Sequence, residues 1–167
     1  MQKIGVLGAG TMGAGIAQAF AMAGKDVVLR DISEALVDKG IAGIQANLDR
    51  FVSRNQLAAE DADAAKHRLT GAVDIVAFAD CDLIVEAIVE VMEVKKTVFA
   101  ELDEAVQPEA ILVANTSSLS ITEIASATNR PDKVLGMHFF NPAPVMKLVE
   151  VIRGIATSQE TVDRVLE

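Results

Sequence analysis

The chain lacks tryptophan and tyrosine altogether, and its only aromatic side chains are six phenylalanines among 167 residues. This absence removes the usual aromatic platforms on which nucleic-acid bases stack. Acidic residues outnumber basic ones, and the formal net charge of −9 repels the phosphates of nucleic acid over most of the surface. The composition therefore argues against nucleic acid as a partner, although a few local cations could still hold an anionic substrate.

Cysteine and histidine are nearly as scarce. Cys81 is the only cysteine, which excludes an intramolecular disulfide and fits a reducing compartment, so we expect a cytoplasmic location. Because Cys81 stands at the head of an apolar run, we interpret it as a buried structural thiol. His67 and His138 lie far apart without flanking cysteine or histidine, so no metal site is predicted, and His67 is expected to face solvent.

Long apolar runs are also missing. No stretch approaches the roughly 20 apolar residues that a membrane span needs, and no charged leader precedes an apolar segment. We therefore expect no membrane partner. Apolar residues nevertheless make up 51% of the chain, in short runs, and 167 residues suit one domain with a sizeable buried core.

The beginning of the chain carries the most informative pattern, an apolar strand followed by Gly8-x-Gly10-x-x-Gly13 and then, eighteen residues later, Asp31. Gly8 allows a tight turn, Gly10 lets the backbone approach a pyrophosphate, and Gly13 lets the next helix pack closely on the sheet. The phosphates would lie at a helix N-terminus, and Asp31 would accept hydrogen bonds from the ribose. This order predicts a dinucleotide pocket rather than an ordinary glycine-rich turn. Its expected cofactor contacts are Gly8, Gly10, Thr11, Met12, Gly13 and Asp31.

The acid also bears on the choice of cofactor. A carboxylate at Asp31 repels the 2′-phosphate of NADP and accepts hydrogen bonds from free ribose hydroxyls. Arg30 could accommodate that phosphate, but strand alternation points residues 30 and 31 to opposite sides. The sequence therefore favours NAD.

Short apolar runs alternate with helical patterns along the rest of the chain. Strands are predicted at 3–7, 27–30, 83–87, 110–114, 134–138 and 147–152, with a weaker one at 70–73. Helices are predicted at 12–23, 34–53, 60–68, 93–106 and 121–127, and the spacing of Thr157 and Glu160 suggests a capping box before a last helix at 161–167. The alternation predicts an α/β fold: one NAD-binding domain, 1–167, with a doubly wound, mostly parallel, Rossmann-type sheet. A helical hairpin is inserted after the second strand.

Polar residues follow two successive predicted strands, at the sheet edge where ligands bind. Asn115 and Ser117 follow the strand 110–114, and His138 ends the next one. If the chain reverses at 141–146 and returns as an antiparallel edge strand, the middle of that strand comes back beside His138, within a residue or two of Glu150. A carboxylate on one ring nitrogen would fix the tautomer and leave the other nitrogen to take a proton, as alcohol dehydrogenation without zinc requires.

Each of these residues also has a plainer interpretation. Ser117 and Ser118 could cap a helix, His138 could be a structural histidine, and Glu150 could face solvent. Their combination with the dinucleotide motif favours catalysis. The basic residues of the long helix, Lys39, Arg50 and Arg54, form either a solvated face or a patch for an anionic substrate tail.

Together these motifs resemble the 3-hydroxyacyl-CoA dehydrogenases, and the short-chain 3-hydroxybutyryl-CoA members in particular. The matching segments are 8–15, 85–90, 115–119, 138–142 and 149–152. The resemblance implies reversible, NAD-dependent oxidation of (S)-3-hydroxybutyryl-CoA to acetoacetyl-CoA in fatty acid metabolism, with an acyl-CoA thioester as substrate. It leaves two competing possibilities, a non-catalytic, crystallin-like NAD-binding protein and a dehydrogenase of a non-CoA hydroxy acid.

The resemblance also implies roles for individual residues. His138 is similar to the family's base, Glu150 to the carboxylate that orients it, and Ser117 to the serine that hydrogen-bonds the reacting oxygen. The remaining matches are Glu90, Lys95 and Asn141, on the nicotinamide side of the cofactor, and Asn47 and Arg54, near positions where relatives hold the coenzyme A tail. Asn115 is a further expected cofactor contact at its strand end.

Relatives of this kind continue into a C-terminal helical domain that supplies most of a dimer interface and another catalytic asparagine. We therefore expect this chain to be the cofactor-binding part of a homodimeric enzyme. On its own it is expected to bind NAD but to turn over slowly or not at all, because the site stays wet and poorly organised.

Overall fold

A computed structural model describes residues 1–167. The chain contains one seven-stranded sheet with the strand order β3-β2-β1-β4-β5-β6-β7. All neighbouring strands are parallel except β6 and β7, which are antiparallel. The strands are β1 Lys3–Leu7, β2 Asp26–Arg30, β3 Leu69–Ala72, β4 Leu83–Glu86, β5 Ile111–Ala114, β6 Val134–Phe139 and β7 Val149–Arg153. The doubly wound sheet and its antiparallel edge strand are confirmed. The strand order reverses between β1 and β4, which is where such sheets bind their ligands.

Six helices connect the strands. They are α1 Thr11–Met22, α2 Glu34–Ser53, α3 Ala59–His67, α4 Met92–Ala105, α5 Ile121–Ala125 and α6 Gln159–Leu166. The inserted pair α2 and α3 lies between β2 and β3, and both helices pack on α1. Two short 3₁₀ segments, Ile75–Phe78 and Pro131–Lys133, were not predicted. None of the helices is long and apolar enough to cross a membrane.

Two apolar layers, one on each face of the sheet, form the core. Alternate residues of one strand enter different layers: Val6 belongs to the layer with Ile16, and Leu7 to the layer with Phe78 and Phe99. A strand buried on both faces needs apolar residues at nearly every position. This explains why the parallel strands appear in the sequence as continuous apolar runs.

Three local predictions can be compared with the structure directly. Cys81 is fully buried, and desolvation raises the pKa of its thiol to about 11, which confirms a structural thiol. His67 is exposed, with Nδ1 2.7 Å from the carbonyl oxygen of Asp63. The predicted capping box is wrong, because Ser158 caps α6 by accepting from the N–H of Thr161 at 3.1 Å. Thr157 is buried instead, and its hydroxyl donates to the carbonyl of Val134 at 2.6 Å.

Candidate active site

The glycine loop between β1 and α1 has the geometry that its spacing predicts. Gly8 adopts φ +104°, a left-handed conformation that side chains other than glycine rarely tolerate. A Cβ on Gly13 would lie 1.7 Å from the carbonyl oxygen of Gly8, so α1 approaches the loop as closely as a glycine allows. A Cβ on Gly10, by contrast, would meet nothing within 4 Å, because this part of the backbone faces open space.

The N-terminus of α1 is open toward that space. Its N-cap residue is Gly10, no side chain caps the helix, and its first turn contains no acidic residue. Unpaired N–H groups and the positive end of the helix dipole favour an anion at such an end. The loop therefore suits the pyrophosphate of a dinucleotide.

Asp31 directly follows β2 and contacts the glycine loop. Its Oδ2 accepts from the N–H of Ala9 at 2.7 Å, and its Oδ1 accepts from the N–H of Ile32 at 2.7 Å. Sequence reasoning missed this contact with the loop, although the carboxylate keeps lone pairs for ribose hydroxyls. Arg30 is held elsewhere, since its Nε donates to the carbonyl of Val73 at 2.8 Å.

A crevice of about 620 Å³ runs along the carboxyl ends of β1, β4, β5 and β6. It collects residues from four separate segments of the chain. The predicted site residues that line it are Gly10, Thr11, Met12, Glu90, Asn115, Ser117, His138 and Asn141. The sheet thus brings the glycine loop and the polar strand ends to one concave surface, as expected for a ligand site.

His138 lies between Ser117 and Glu150. Its Nε2 is 3.0 Å from Ser117 Oγ, and its Nδ1 is 2.7 Å from Glu150 Oε2. The register of β6 and β7 places His138 directly opposite Glu150, which confirms the predicted reversal of the chain. Because an ionised carboxylate only accepts, Nδ1 carries the proton in this pair and Nε2 is free to exchange one. The Phe140 ring packs against the imidazole, with ring centroids 4.7 Å apart.

Ser117 does not cap a helix. The cap of α5 is Ser120. The backbone N–H of Ser117 donates to Glu90 Oε1 at 3.1 Å. The backbone N–H groups of Ser118 and Leu119 both donate to Thr116 Oγ1. A serine that forms an acyl-enzyme needs free N–H donors beside it to stabilise the oxyanion, and the three N–H groups here already donate to other acceptors. The hydroxyl of Ser117 is instead suited to hydrogen-bond a substrate oxygen that also contacts His138.

Lys95 lies beneath the crevice rather than in it. Its side chain has 0% exposure, and Nζ is 2.7 Å from each carboxylate oxygen of Glu86. Direct contact between Lys95 and a cofactor therefore stays a prediction. Burial raises the pKa of Glu86 despite the neighbouring ammonium. Burial acts in the same direction on Glu90, but the Thr116 hydroxyl and Lys95 outweigh it and lower the pKa of that carboxyl.

A second cavity, of about 270 Å³, lies between α1 and α2 and shares Thr11 and Asn141 with the crevice. Asn47 lines it, donating from Nδ2 to Gln18 Oε1 at 2.7 Å, and Arg50 lines it as well. Arg54 follows the end of α2 and is not among the lining residues. The structure thus places Asn47 with Arg50, and not with Arg54, beside the crevice.

Comparisons with known proteins find matches that cover almost the whole chain. A family model described as 3-hydroxyacyl-CoA dehydrogenase, NAD binding domain, matches residues 3–167. The chain is 50% identical over 166 residues to 3-hydroxybutyryl-CoA dehydrogenase of Clostridioides difficile, covering 99% of this chain and 59% of that protein. It is 48% identical over 167 residues to 3-hydroxyadipyl-CoA dehydrogenase of Escherichia coli, covering 100% of this chain and 35% of that protein.

The fold is similar to solved structures of the same kind. The crystal structure of (S)-3-hydroxybutyryl-CoA dehydrogenase from Ralstonia eutropha matches with a TM-score of 0.96 and 43% identity, over 99% of this chain and 58% of that one. These matches confirm the resemblance inferred from the motifs. The chain spans between 35% and 59% of the length of these relatives.

Proposed function

Because this chain belongs to the NAD-binding domain family of 3-hydroxyacyl-CoA dehydrogenases, we propose that the protein oxidises (S)-3-hydroxybutyryl-CoA to acetoacetyl-CoA with NAD, reversibly. The observation that carries the proposal is the contact of His138 with both Ser117 and Glu150 beside the glycine loop. The proposal includes a cytoplasmic location and a homodimer for the full-length enzyme. This chain is its cofactor-binding part.

The residues present fit NAD. The open N-terminus of α1 and the bare backbone at Gly10 suit the pyrophosphate, and the Asp31 carboxylate suits a ribose with free hydroxyls. When bound, NAD supplies the acceptor for the hydride of the substrate alcohol. The residues predicted to contact NAD that line the crevice are Gly10, Thr11, Met12, Glu90, Asn115, Ser117 and Asn141.

His138 acts as the general base in this proposal. Nε2 takes the proton of the 3-hydroxyl group, and Glu150 stabilises the resulting imidazolium through Nδ1, 2.7 Å from its carboxylate oxygen. The hydroxyl of Ser117, 3.0 Å from Nε2, hydrogen-bonds the same substrate oxygen and so fixes its position. In the reverse direction the imidazolium returns the proton to the keto oxygen of acetoacetyl-CoA.

The second cavity suits the coenzyme A part of the substrate. Arg50 places a cation beside the crevice in an otherwise acidic protein, and Asn47 adds an amide. Arg54 stands four residues further along the chain, at the end of α2, about one helical turn from Arg50. Arg54 can therefore meet a phosphate that extends beyond the cavity. This basic edge favours an anionic thioester over a small free hydroxy acid.

The first experiment is oxidation of NADH by this chain in the presence of acetoacetyl-CoA, with free acetoacetate and NADPH in parallel assays. We expect NADH to bind, with slow turnover that depends on the thioester and on NADH. Equal rates with acetoacetate would indicate a non-CoA dehydrogenase. Failure of the chain to bind NADH would contradict the proposal. If the full-length protein bound NADH but did not turn over acetoacetyl-CoA, a crystallin-like role would be favoured.

Asp31→Asn is expected to weaken the preference for NADH over NADPH by about tenfold, since the substitution removes the charge that repels a 2′-phosphate. Asparagine retains one acceptor oxygen for the N–H of Ala9, so the glycine loop should keep its shape, while the N–H of Ile32 outside the loop loses its acceptor. Fluorescence titrations with both cofactors measure the change. Asp38→Asn on the exposed face of α2 removes the same charge and is the matched control. An unchanged affinity ratio in Asp31→Asn would rule out the ribose role.

A further inference from the structure

The mechanism leaves one fully buried ion pair unused. Glu86, the last residue of β4, and Lys95 on α4 both have 0% exposure. Both carboxylate oxygens of Glu86 lie 2.7 Å from Lys95 Nζ, and Oε1 also accepts from the N–H of Ile88 at 2.7 Å. Burying two charges costs free energy that their mutual attraction seldom recovers in full. A pair kept at such a cost directly below a candidate site calls for an explanation beyond stability.

The ammonium of Lys95 has two more partners, each on a different loop. It donates to the carbonyl of Asn115 at 3.2 Å and lies 3.4 Å from Glu90 Oε2. Asn115 follows β5, and Glu90 follows β4. Lys95 therefore connects the two loops that form the floor of the crevice, while Glu86 holds it from below.

These two loop residues in turn hold the catalytic groups. Glu90 Oε1 accepts from the Thr116 hydroxyl and from the N–H of Ser117. Asn115 Oδ1 accepts from the N–H of Phe139 at 3.3 Å, next to His138. The chain of contacts that starts at Glu86 thus ends at the carboxyl ends of β5 and β6. There Ser117 Oγ lies 3.0 Å from His138 Nε2.

We propose that Glu86 is a positioning residue: by fixing the ammonium of Lys95, it fixes Glu90 and the loop 115–119, and so sets Ser117 against His138. Glu86 itself does not line the crevice, so it acts only through other residues. The proposal rests on the proposed function for its consequence in catalysis. Its structural claim, that Glu86 controls the Ser117 loop, stands on the contacts alone.

The charge of Glu86 is the property that matters. In Glu86→Gln the shape of the side chain is kept, but Lys95 is left with Glu90 as its only carboxylate partner. The ammonium then moves toward Glu90, which is now 3.4 Å away, and a stronger attraction there draws Glu90 from the N–H of Ser117. Ser117 thereby loses the acceptor that holds its backbone.

The test compares the wild-type chain with Glu86→Gln by NMR and by NADH titration. The amide signal of Ser117 is expected to move and its hydrogen exchange to accelerate by about tenfold, as for loss of one hydrogen bond to a charged acceptor. NADH affinity is expected to fall by a similar factor, because Glu90 and Asn115 line the crevice. Asp103→Asn is the matched control. Asp103 lies on α4 about 12 Å beyond Lys95, and the substitution breaks a different, largely buried ion pair with Arg130. It should leave the hydrogen exchange of Ser117 unchanged.

A second variant separates positioning from stability. Glu86→Gln combined with Lys95→Met removes both charges, so the melting temperature should recover relative to Glu86→Gln. Ser117 should nevertheless stay fast-exchanging, because no ammonium then fixes Glu90 and the carbonyl of Asn115 in their wild-type positions. This variant leaves no unpaired buried charge, so it decides the matter even if the single variant fails to fold.

Wild-type Ser117 exchange in the folded variants would overturn the role of Glu86. Failure of the wild-type chain to bind NADH would instead contradict the proposed function, and the Ser117 measurement would still test the positioning.

Discussion

His138→Ala is expected to slow acetoacetyl-CoA-dependent NADH oxidation by between about a hundredfold and ten-thousandfold, the usual contribution of a positioned general acid–base. NADH affinity should stay close to that of the wild type, since the pyrophosphate and adenosine are expected to contact the glycine loop and Asp31, not His138. Loss of the imidazole removes the only side chain that bridges Ser117 and Glu150. Initial rates and NADH titration on the same preparations measure both effects.

The chain offers a matched control for this experiment. His67 is its only other histidine, and it is exposed on α3, away from the crevice. His67→Ala should therefore keep the wild-type rate, which accounts for general effects of removing an imidazole. A His138→Ala variant that turns over as fast as His67→Ala would remove His138 from the mechanism.

Gly13→Ala is expected to lower the free energy of unfolding by more than about 4 kcal/mol and to abolish NADH binding. The added Cβ would stand 1.7 Å from the carbonyl oxygen of Gly8 and 2.8 Å from its carbonyl carbon. Both atoms belong to the backbone, so no side-chain rotation relieves the overlap, and the loop must separate from α1. Denaturant unfolding and NADH titration test this expectation, and wild-type stability in Gly13→Ala would contradict the close packing of the loop.

Gly10→Ala separates binding from folding. A Cβ on Gly10 meets nothing within 4 Å, so the free energy of unfolding should fall by no more than about 1 kcal/mol, the cost of a less favourable N-cap residue. Binding should nevertheless weaken, because the methyl group enters the space where a pyrophosphate approaches the backbone. Gly43→Ala is the control for both properties: Gly43 lies inside α2 and also has open space around it. The Gly43→Ala variant should bind NADH with wild-type affinity, and its free energy of unfolding should rise by about 1 kcal/mol because alanine has a higher helix propensity than glycine.

The strands and helices were largely predictable because their signals are local. A helix over 34–53 follows from its periodicity, and the structure gives the same limits for α2. The strand at 70–73 was only a weak signal because it contains Gly71. Its place in the sheet comes from packing: a Cβ on Gly71 would lie 2.6 Å from Val37 Cγ1 of α2.

The sequence by itself determined the dinucleotide loop and the preference for NAD, and it predicted that the strand carrying Glu150 returns beside His138. Each follows from spacing within a short segment: glycines at a strand end, an acid at the next strand end, and a turn that returns one strand beside another. The predicted turn at 141–146 brought Glu150 only to within a residue or two of His138, and the register of β6 and β7 in the structure makes the two residues direct partners.

Only the tertiary structure decided which loops meet. Ser117 changed from a possible helix cap to the partner of His138, Asp31 gained a contact with Ala9, and Glu86 with Lys95 became a buried support. These contacts join residues that strand order, not sequence distance, brings together. Strand order is set by how two apolar layers cover the whole sheet, and that property belongs to no single segment of the chain.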